Sequence, residues 1–180
     1  MPEKKGKKTP FKGLSLMPFV LTVLIVVSDR LTKNWVVANI PRGTVWRSFF
    51  GDFLWICHVR NTGVAFSMGN TLPSPVRMFL FTVLPIVVML YMVWLVADRR
   101  SSLSTAQRWL TAGVLGGGIG TTIDRILYFE EGVVDFISIK FYGLFGLDRW
   151  PTFNISDSCV VVFVIILAIT ILFSDGGKKA

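Results

Sequence analysis

The sequence predicts a mainly α-helical membrane protein, with four transmembrane helices and a small β-hairpin on one side of the bilayer. Three observations lead there. Hydrophobic residues make up 52% of the 180 residues and charged residues 17%, with a mean hydropathy of +0.60. The apolar residues gather into four uncharged runs, Gly13–Ser28, Met78–Ala97, Trp109–Ile123 and Ser158–Ser174. Two longer stretches between them hold most of the aromatic and acidic residues. A soluble domain carries about 25% charged residues. Four buried helices of a soluble all-α domain would also need polar faces, which these runs lack.

The elements follow in order. Residues 1–12 form a basic tail containing Lys4, Lys5, Lys7, Lys8 and Lys12. The first span covers about residues 14–33. About 20 residues are needed to cross a ~30 Å hydrocarbon core, so this helix must take Asp29, Arg30 and Lys33 into its last turns. No small-residue cleavage site follows the run, so a retained anchor is expected rather than a cleaved signal peptide. Thr44–Phe50 and Phe53–Asn61 are rich in aromatic and β-branched residues and flank Gly51-Asp52, which reads as a hairpin over about 44–67. Strict alternation puts Phe53, Trp55, Cys57 and Val59 on one face, with Asn61 in line.

The second span, about 76–97, contains the one run that reaches full length without a charge. In the third, about 108–125, Gly116-x-x-x-Gly120 is a small-residue packing motif whose line continues to Asp124. An outer loop, 126–154, includes a strand pattern in which Val133, Asp135, Ile137, Ile139 and Phe141 alternate with Val134, Phe136, Ser138 and Lys140. Asp135 thus falls on the more apolar face. The last span covers about 155–174, and the whole chain, 1–180, reads as one integral membrane domain.

Charge sets the orientation. Of the 19 Lys and Arg residues, ten lie in residues 1–12, the Asp98–Arg108 loop and the tail from Asp175 that holds Lys178 and Lys179. That side is expected to be cytoplasmic, with both termini inside and the two long segments outside. The net charge of +8 could suggest nucleic acid. Lysines crowded beside a membrane span are better explained by anionic lipid, and no nucleic-acid partner is expected.

One histidine and two cysteines exclude a His/Cys zinc site and a disulfide framework. No metal or cofactor is expected, so chemistry must come from carboxylates, hydroxyls, amides or cations. Four aspartates sit where apolar runs meet the outer side: Asp29, Asp124, Asp135 and Asp157. Charges at mid-membrane cost roughly 2.5–3.5 kcal/mol, and less near the interface. Asp29 has a structural explanation as an i,i+4 partner of Lys33. Asp124 points into the bundle, as packing support or as part of a site. Asp157 can serve as an N-terminal helix residue in Asn154-Ile155-Ser156-Asp157-Ser158. Asp135 has no cation on its own strand face. Two carboxylates brought together would share a proton and could act as base and acid, as in aspartic proteases. A proton relay or transporter uses isolated acids equally well, although it favours acids near mid-span and internal repeats.

Five motifs occur in order: Ser28-Asp29-Arg30-Leu31-Thr32-Lys33, Arg60-Asn61-Thr62-Gly63-Val64-Ala65-Phe66-Ser67, Gly116 to Arg125, Val133-Val134-Asp135-Phe136, and Phe153-Asn154-Ile155-Ser156-Asp157-Ser158. Together they resemble the bacterial lipoprotein signal peptidases (signal peptidase II), over residues ~14 to 173. The resemblance implies an aspartyl endopeptidase of the bacterial inner membrane that removes signal peptides from diacylglyceryl-modified prolipoproteins just before the lipid-modified cysteine. It implies four transmembrane helices with a small extracytoplasmic β-cradle and a short, mobile outer helix near Phe141–Trp150. It assigns the catalytic pair to Asp135 and Asp157. Asn61, Asp124, Arg125 and Asn154 match supporting polar positions, and Asp29, Lys33 and Gly120 are counted with them as substrate-binding or supporting. The expected partners are prolipoprotein substrates and membrane lipid, with the enzyme a monomer. Two residues depart from the family pattern: Thr121 stands where an asparagine is usual, and Ser156 where an alanine is usual.

Overall fold

Among the described residues, four long helices and one three-stranded antiparallel sheet make up the fold. A computed structural model describes residues 15–63, 69 and 71–174. The basic tail at 1–12, the end of the expected hairpin at 64–67, and Lys178 and Lys179 lie outside the described residues. In chain order the elements are α1 (Phe19–Asn39), β1 (Val45–Phe49), β2 (Leu54–Asn61), α2 (Ser74–Ala97), α3 (Thr105–Leu127), β3 (Val133–Ile139) and α4 (Ile155–Ser174).

Local chemistry sets the helix ends. Pro18 precedes α1, and Ile40, the residue before Pro41, is extended, as a residue ahead of proline prefers. In α3, Ser104 and Gln107 form a reciprocal capping box. Arg108, one residue further on, donates from Nη1 to the carbonyls of Leu95 (3.1 Å), Val96 (2.8 Å) and Asp98 (2.9 Å), so it closes the C-terminal end of α2. Within α2, Phe79–Val83 winds as a π turn. Pro85 has no N–H to give the Phe81 carbonyl, and the wider ladder, with Leu84 N–H bonded to Phe79, absorbs the defect.

By length and composition α2 and α4 can each cross a membrane. Helices α1 and α3, at 21 and 23 residues, are also long enough; at 1.5 Å per residue they measure about 31 and 34 Å. From its middle onward, however, α1 carries Asp29, Arg30 and Lys33, and α3 carries Asp124 and Arg125 near its C-terminal end.

Helix α3 is the centre of the bundle and packs against α1, α2 and α4. Glycine makes this possible. A Cβ at position 117 would lie 2.5 Å from the Ser156 carbonyl oxygen on α4, and one at 120 would lie 2.0 Å from Ser156 Oγ and 2.8 Å from Asp29 Oδ2. The Gly116-x-x-x-Gly120 stripe therefore lets α1 approach, as the sequence pattern suggests, and Gly117 does the same for α4.

The sheet has order β1-β2-β3. The hairpin turns through Phe50, Gly51 and Asp52, all at positive φ. A bulge corrects the sequence reading of β2. Between the pairs Ile56↔Ile137 and Val59↔Asp135, Cys57 and His58 together oppose Phe136. The extra residue shifts the alternation by one. Val59 and Asn61, paired with Asp135 and Val133, share the Asp135 face, whereas Trp55, paired with Ser138, lies on the other face.

After β3, in the range where a short outer helix is expected, helical structure is limited to one turn. Tyr142, Gly143, Phe145 and Gly146 all have positive φ, and a single 3₁₀ turn at Leu144–Gly146 results. The return segment then lies along β3, with Trp150 N–H bonded to Ile139 (2.8 Å) and Phe153 N–H to Ile137 (2.9 Å). Arg149 fastens this return. It donates to Ser138 Oγ (3.0 Å) and to the Asp52 carbonyl (3.0 Å), and its guanidinium lies 3.6 Å from the centre of the Trp55 ring. A small core of Val36, Ile40, Val134 and Phe136 joins α1 to the sheet, with Ile56, Ile137 and Ile155 packed against it.

Candidate active site

Asp135 and Asp157 reach one cavity from different elements. Asp135 comes from the middle of β3 and is buried; Asp157 stands in the first turn of α4 and is half-buried. The cavity has a volume of about 760 Å³, and Asn61, Thr121 and Arg125 line it beside the two carboxylates. Leu80 and Phe81 from the π turn of α2, and Val160 and Val161 from α4, form its apolar wall.

Asn154 organises both aspartates. Its Oδ1 accepts the Asp157 N–H (3.0 Å) while Asp157 Oδ2 accepts the Asn154 N–H (3.1 Å), a reciprocal capping box at the start of α4. Asp157 is therefore the third residue of the box, and Asn154 is the cap. The Asn154 side-chain amide donates to Asp135 Oδ1 (2.7 Å) and to the Val134 carbonyl (3.2 Å). On the other side of Asp135, Asn61 Nδ2 donates to Oδ2 (3.2 Å), and Asn61 Oδ1 accepts the Gly63 N–H (3.0 Å). Burial, and then the charge of Asp157, push the Asp135 carboxyl up to about 7, against the opposing pull of the two asparagine amides. At neutral pH a substantial fraction of Asp135 thus keeps its proton, which gives the cavity a carboxylic acid facing a second carboxyl group.

Arg125 turns away from its neighbour Asp124. Its guanidinium bonds the Gly63 carbonyl and lies 5.3 Å from the centre of the Phe81 ring, on the cavity side. Asp124 belongs instead to a buried four-charge network. Lys33 Nζ lies 2.9 Å from Asp29 Oδ2 and 2.9 Å from Asp124 Oδ2. Arg30 bridges the same pair, at 2.8 Å and 2.6 Å, and also donates to the Gly120 carbonyl (3.1 Å). The i,i+4 pair of Asp29 and Lys33 is thus present, but both side chains are within 1% of full burial. Sequence reasoning missed Arg30 and Phe81. Arg30 could have been found from its place beside Asp29 in the first motif, whereas Phe81 had no signal in an apolar run.

A helical bundle with two apolar helices, a small sheet and a cavity holding paired acids has the form of a membrane enzyme. The family model described as Signal peptidase (SPase) II matches residues 21–173. Lipoprotein signal peptidases from Borreliella burgdorferi, Borrelia duttonii (strain Ly) and Borrelia hermsii are similar to this chain. The first two are 40% and 42% identical over 151 residues, covering 84% of this chain and 86% of each relative. The third is 41% identical over 155 residues, covering 86% and 89%. Two solved structures, each described as a bacterial membrane enzyme determined by the in meso method, superpose with TM-scores of 0.73 and 0.67. They are 28% and 27% identical; the first match covers 91% of this chain and 92% of the other, the second 91% and 94%. The chain belongs to the signal peptidase II family. It is an aspartic endopeptidase, a hydrolase that acts in prolipoprotein processing.

Proposed function

We propose that this enzyme cuts diacylglyceryl-modified prolipoproteins on the N-terminal side of the lipid-modified cysteine, with Asp135 and Asp157 as the catalytic dyad. All four helices span the bacterial inner membrane in one integral domain. Both termini are cytoplasmic, and the site lies near the outer face. The observation that carries this reading is the pair of carboxyl groups on one cavity, with Asp135 held up to about 7.

The chemistry follows from that pairing. Asp157, in the first turn of α4, acts as the base and takes a proton from water. The water oxygen attacks the scissile carbonyl carbon while Asp135 gives its proton to the carbonyl oxygen. In the collapse of the tetrahedral intermediate the C–N bond breaks and the new amine takes up the proton held by Asp157. One diol proton returns to Asp135. Asn61 and Asn154 hold the Asp135 carboxyl in place without adding charge. Arg125 and the Gly63 carbonyl provide polar edges for substrate main chain. The acyl chains of the substrate remain in lipid while the scissile bond enters the wet outer end, and the enzyme works as a monomer.

The test is cleavage of a diacylglyceryl-modified prolipoprotein by the purified full-length chain in detergent. Asp135→Asn and Asp157→Asn keep shape and remove the acid or base, which should lower kcat by about 10²–10⁴-fold. Turnover at the native rate by either variant would refute the dyad.

A further inference from the structure

The four-charge network has an unusual relation to the dyad. Asp29 Oδ1 accepts the backbone N–H of Ser156 (3.2 Å), and Asp124 Oδ2 accepts the backbone N–H of Val134 (3.2 Å). Ser156 is the residue immediately before Asp157, and Val134 is the residue immediately before Asp135. Lys33 lies between the two carboxylates and touches both.

We infer that Lys33, Asp29 and Asp124, with Arg30 as a second bridge, are positioning residues that set the separation of the two catalytic aspartates by gripping the backbone N–H of the residue before each. The inference rests on the dyad proposed above. It takes up the supporting side of the expectation that Asp29 and Lys33 are substrate-binding or supporting residues. Asp29, Lys33 and Asp124 are almost fully buried, and the cavity wall, among the described residues, does not include any of the four network residues. They act through main chain on β3 and α4. Two aspartates, one lysine and one arginine balance in charge, so the network can be buried as a unit, whereas removing one member leaves a buried charge unpaired. A hydrogen bond from a backbone N–H to an ionised carboxylate is among the stronger kinds, which suits it to fixing a peptide plane. Errors of about 1 Å in catalytic geometry can cost about 10²-fold in rate.

Two variants separate positioning from simple stabilisation. Lys33→Met removes the central bridge. Lys33→Met combined with Asp29→Asn restores charge balance and leaves an amide oxygen at position 29 for Ser156 N–H, but it still lacks the bridge. Both are assayed as full-length protein in detergent with the prolipoprotein substrate, beside Asp135→Asn, with kcat, KM and the thermal unfolding midpoint measured. The expected result is a fall in kcat of about 10²-fold in both variants with KM changed less than threefold, while the double variant recovers most of the unfolding midpoint lost by the single one. A double variant that recovers native kcat together with stability overturns the inference, as does a KM rise with kcat unchanged. Failure of both variants to fold also overturns it, because the network would then serve folding alone. If Lys33→Met is fully active while Asp135→Asn is dead, the brace fails and the dyad stands; if both are fully active, the dyad itself fails.

Discussion

Gly117→Ala adds one methyl group at the tightest backbone contact between α3 and α4. The new Cβ would lie 2.5 Å from the Ser156 carbonyl oxygen, 2.7 Å from Val160 Cγ2 and 3.1 Å from Val160 N. Ser156 and Val160 are four apart, so the methyl meets both ends of one hydrogen bond in the first turns of α4. Rotating a side chain relieves none of the backbone clash. The start of α4 must move by roughly 1 Å, and Asp157 moves with it. Alanine in a helix interior returns about 1 kcal/mol relative to glycine, while overpacking of this kind costs about 1–3 kcal/mol. The net loss is up to about 2 kcal/mol, and the displaced Asp157 lowers kcat by about 10²-fold. The adjacent Gly118→Ala is the control. There the Cβ would first meet the sulfur of Met89 at 3.1 Å, a side chain that can swing aside. Gly118→Ala should therefore be as stable as the native chain or up to about 1 kcal/mol more stable. Reversible unfolding in detergent, followed by tryptophan fluorescence, gives the stabilities, and prolipoprotein cleavage gives kcat. A Gly117→Ala protein that is as stable and as active as the native chain would refute the argument, as would a Gly118→Ala protein less stable than Gly117→Ala.

Two further predictions concern the carboxyl site. Asp135 has a folded value of about 7 against an unfolded value of about 3.9. Its neutral form stabilises the fold fully below about pH 4, and that contribution is lost as pH rises through about 7, up to on the order of 4 kcal/mol. Asp135→Asn should thus gain stability relative to the native chain between pH 5 and pH 8; an unfolding difference that stays flat across that range contradicts the raised value. Asn154→Ala removes the cap of α4 and two donated hydrogen bonds at once. It should cost about 2–4 kcal/mol in unfolding free energy, together with a loss of turnover, and a cost under about 0.5 kcal/mol would show that the cap is redundant.

The helices were legible because apolar runs and glycine spacing report directly on burial and packing. Asp135 was legible for a related reason: an acid on an apolar strand face demands an explanation. The bulge at Cys57–His58 was not. A perfect alternation puts Trp55 and Asn61 on one face, and only the pairing with β3 reveals the extra residue that separates them. Asp29 reads as half of a local helix pair because its long-range partner, the Ser156 N–H, depends on how α1 meets α4. The 3₁₀ turn at Leu144–Gly146 was hidden because Tyr142 and Phe145 adopt positive φ, which aromatic residues rarely do. Local pattern therefore located the carboxyl groups that share the cavity, while long-range pairing decided which neighbours held them.

The order of assembly follows from the charge balance of the buried network. Asp29, Arg30 and Lys33 leave α1 with one uncompensated positive charge from its middle onward, and Asp124 on α3 supplies the missing negative one. Neither helix end can give up its water alone without burying an unpaired ion. Dehydration of α1 must therefore wait until α3 has been made and docked, although the two lie some 90 residues apart in the chain. The paired helices then present the Asp124 and Asp29 carboxylates that accept the Val134 and Ser156 N–H groups once β3 and α4 are in place.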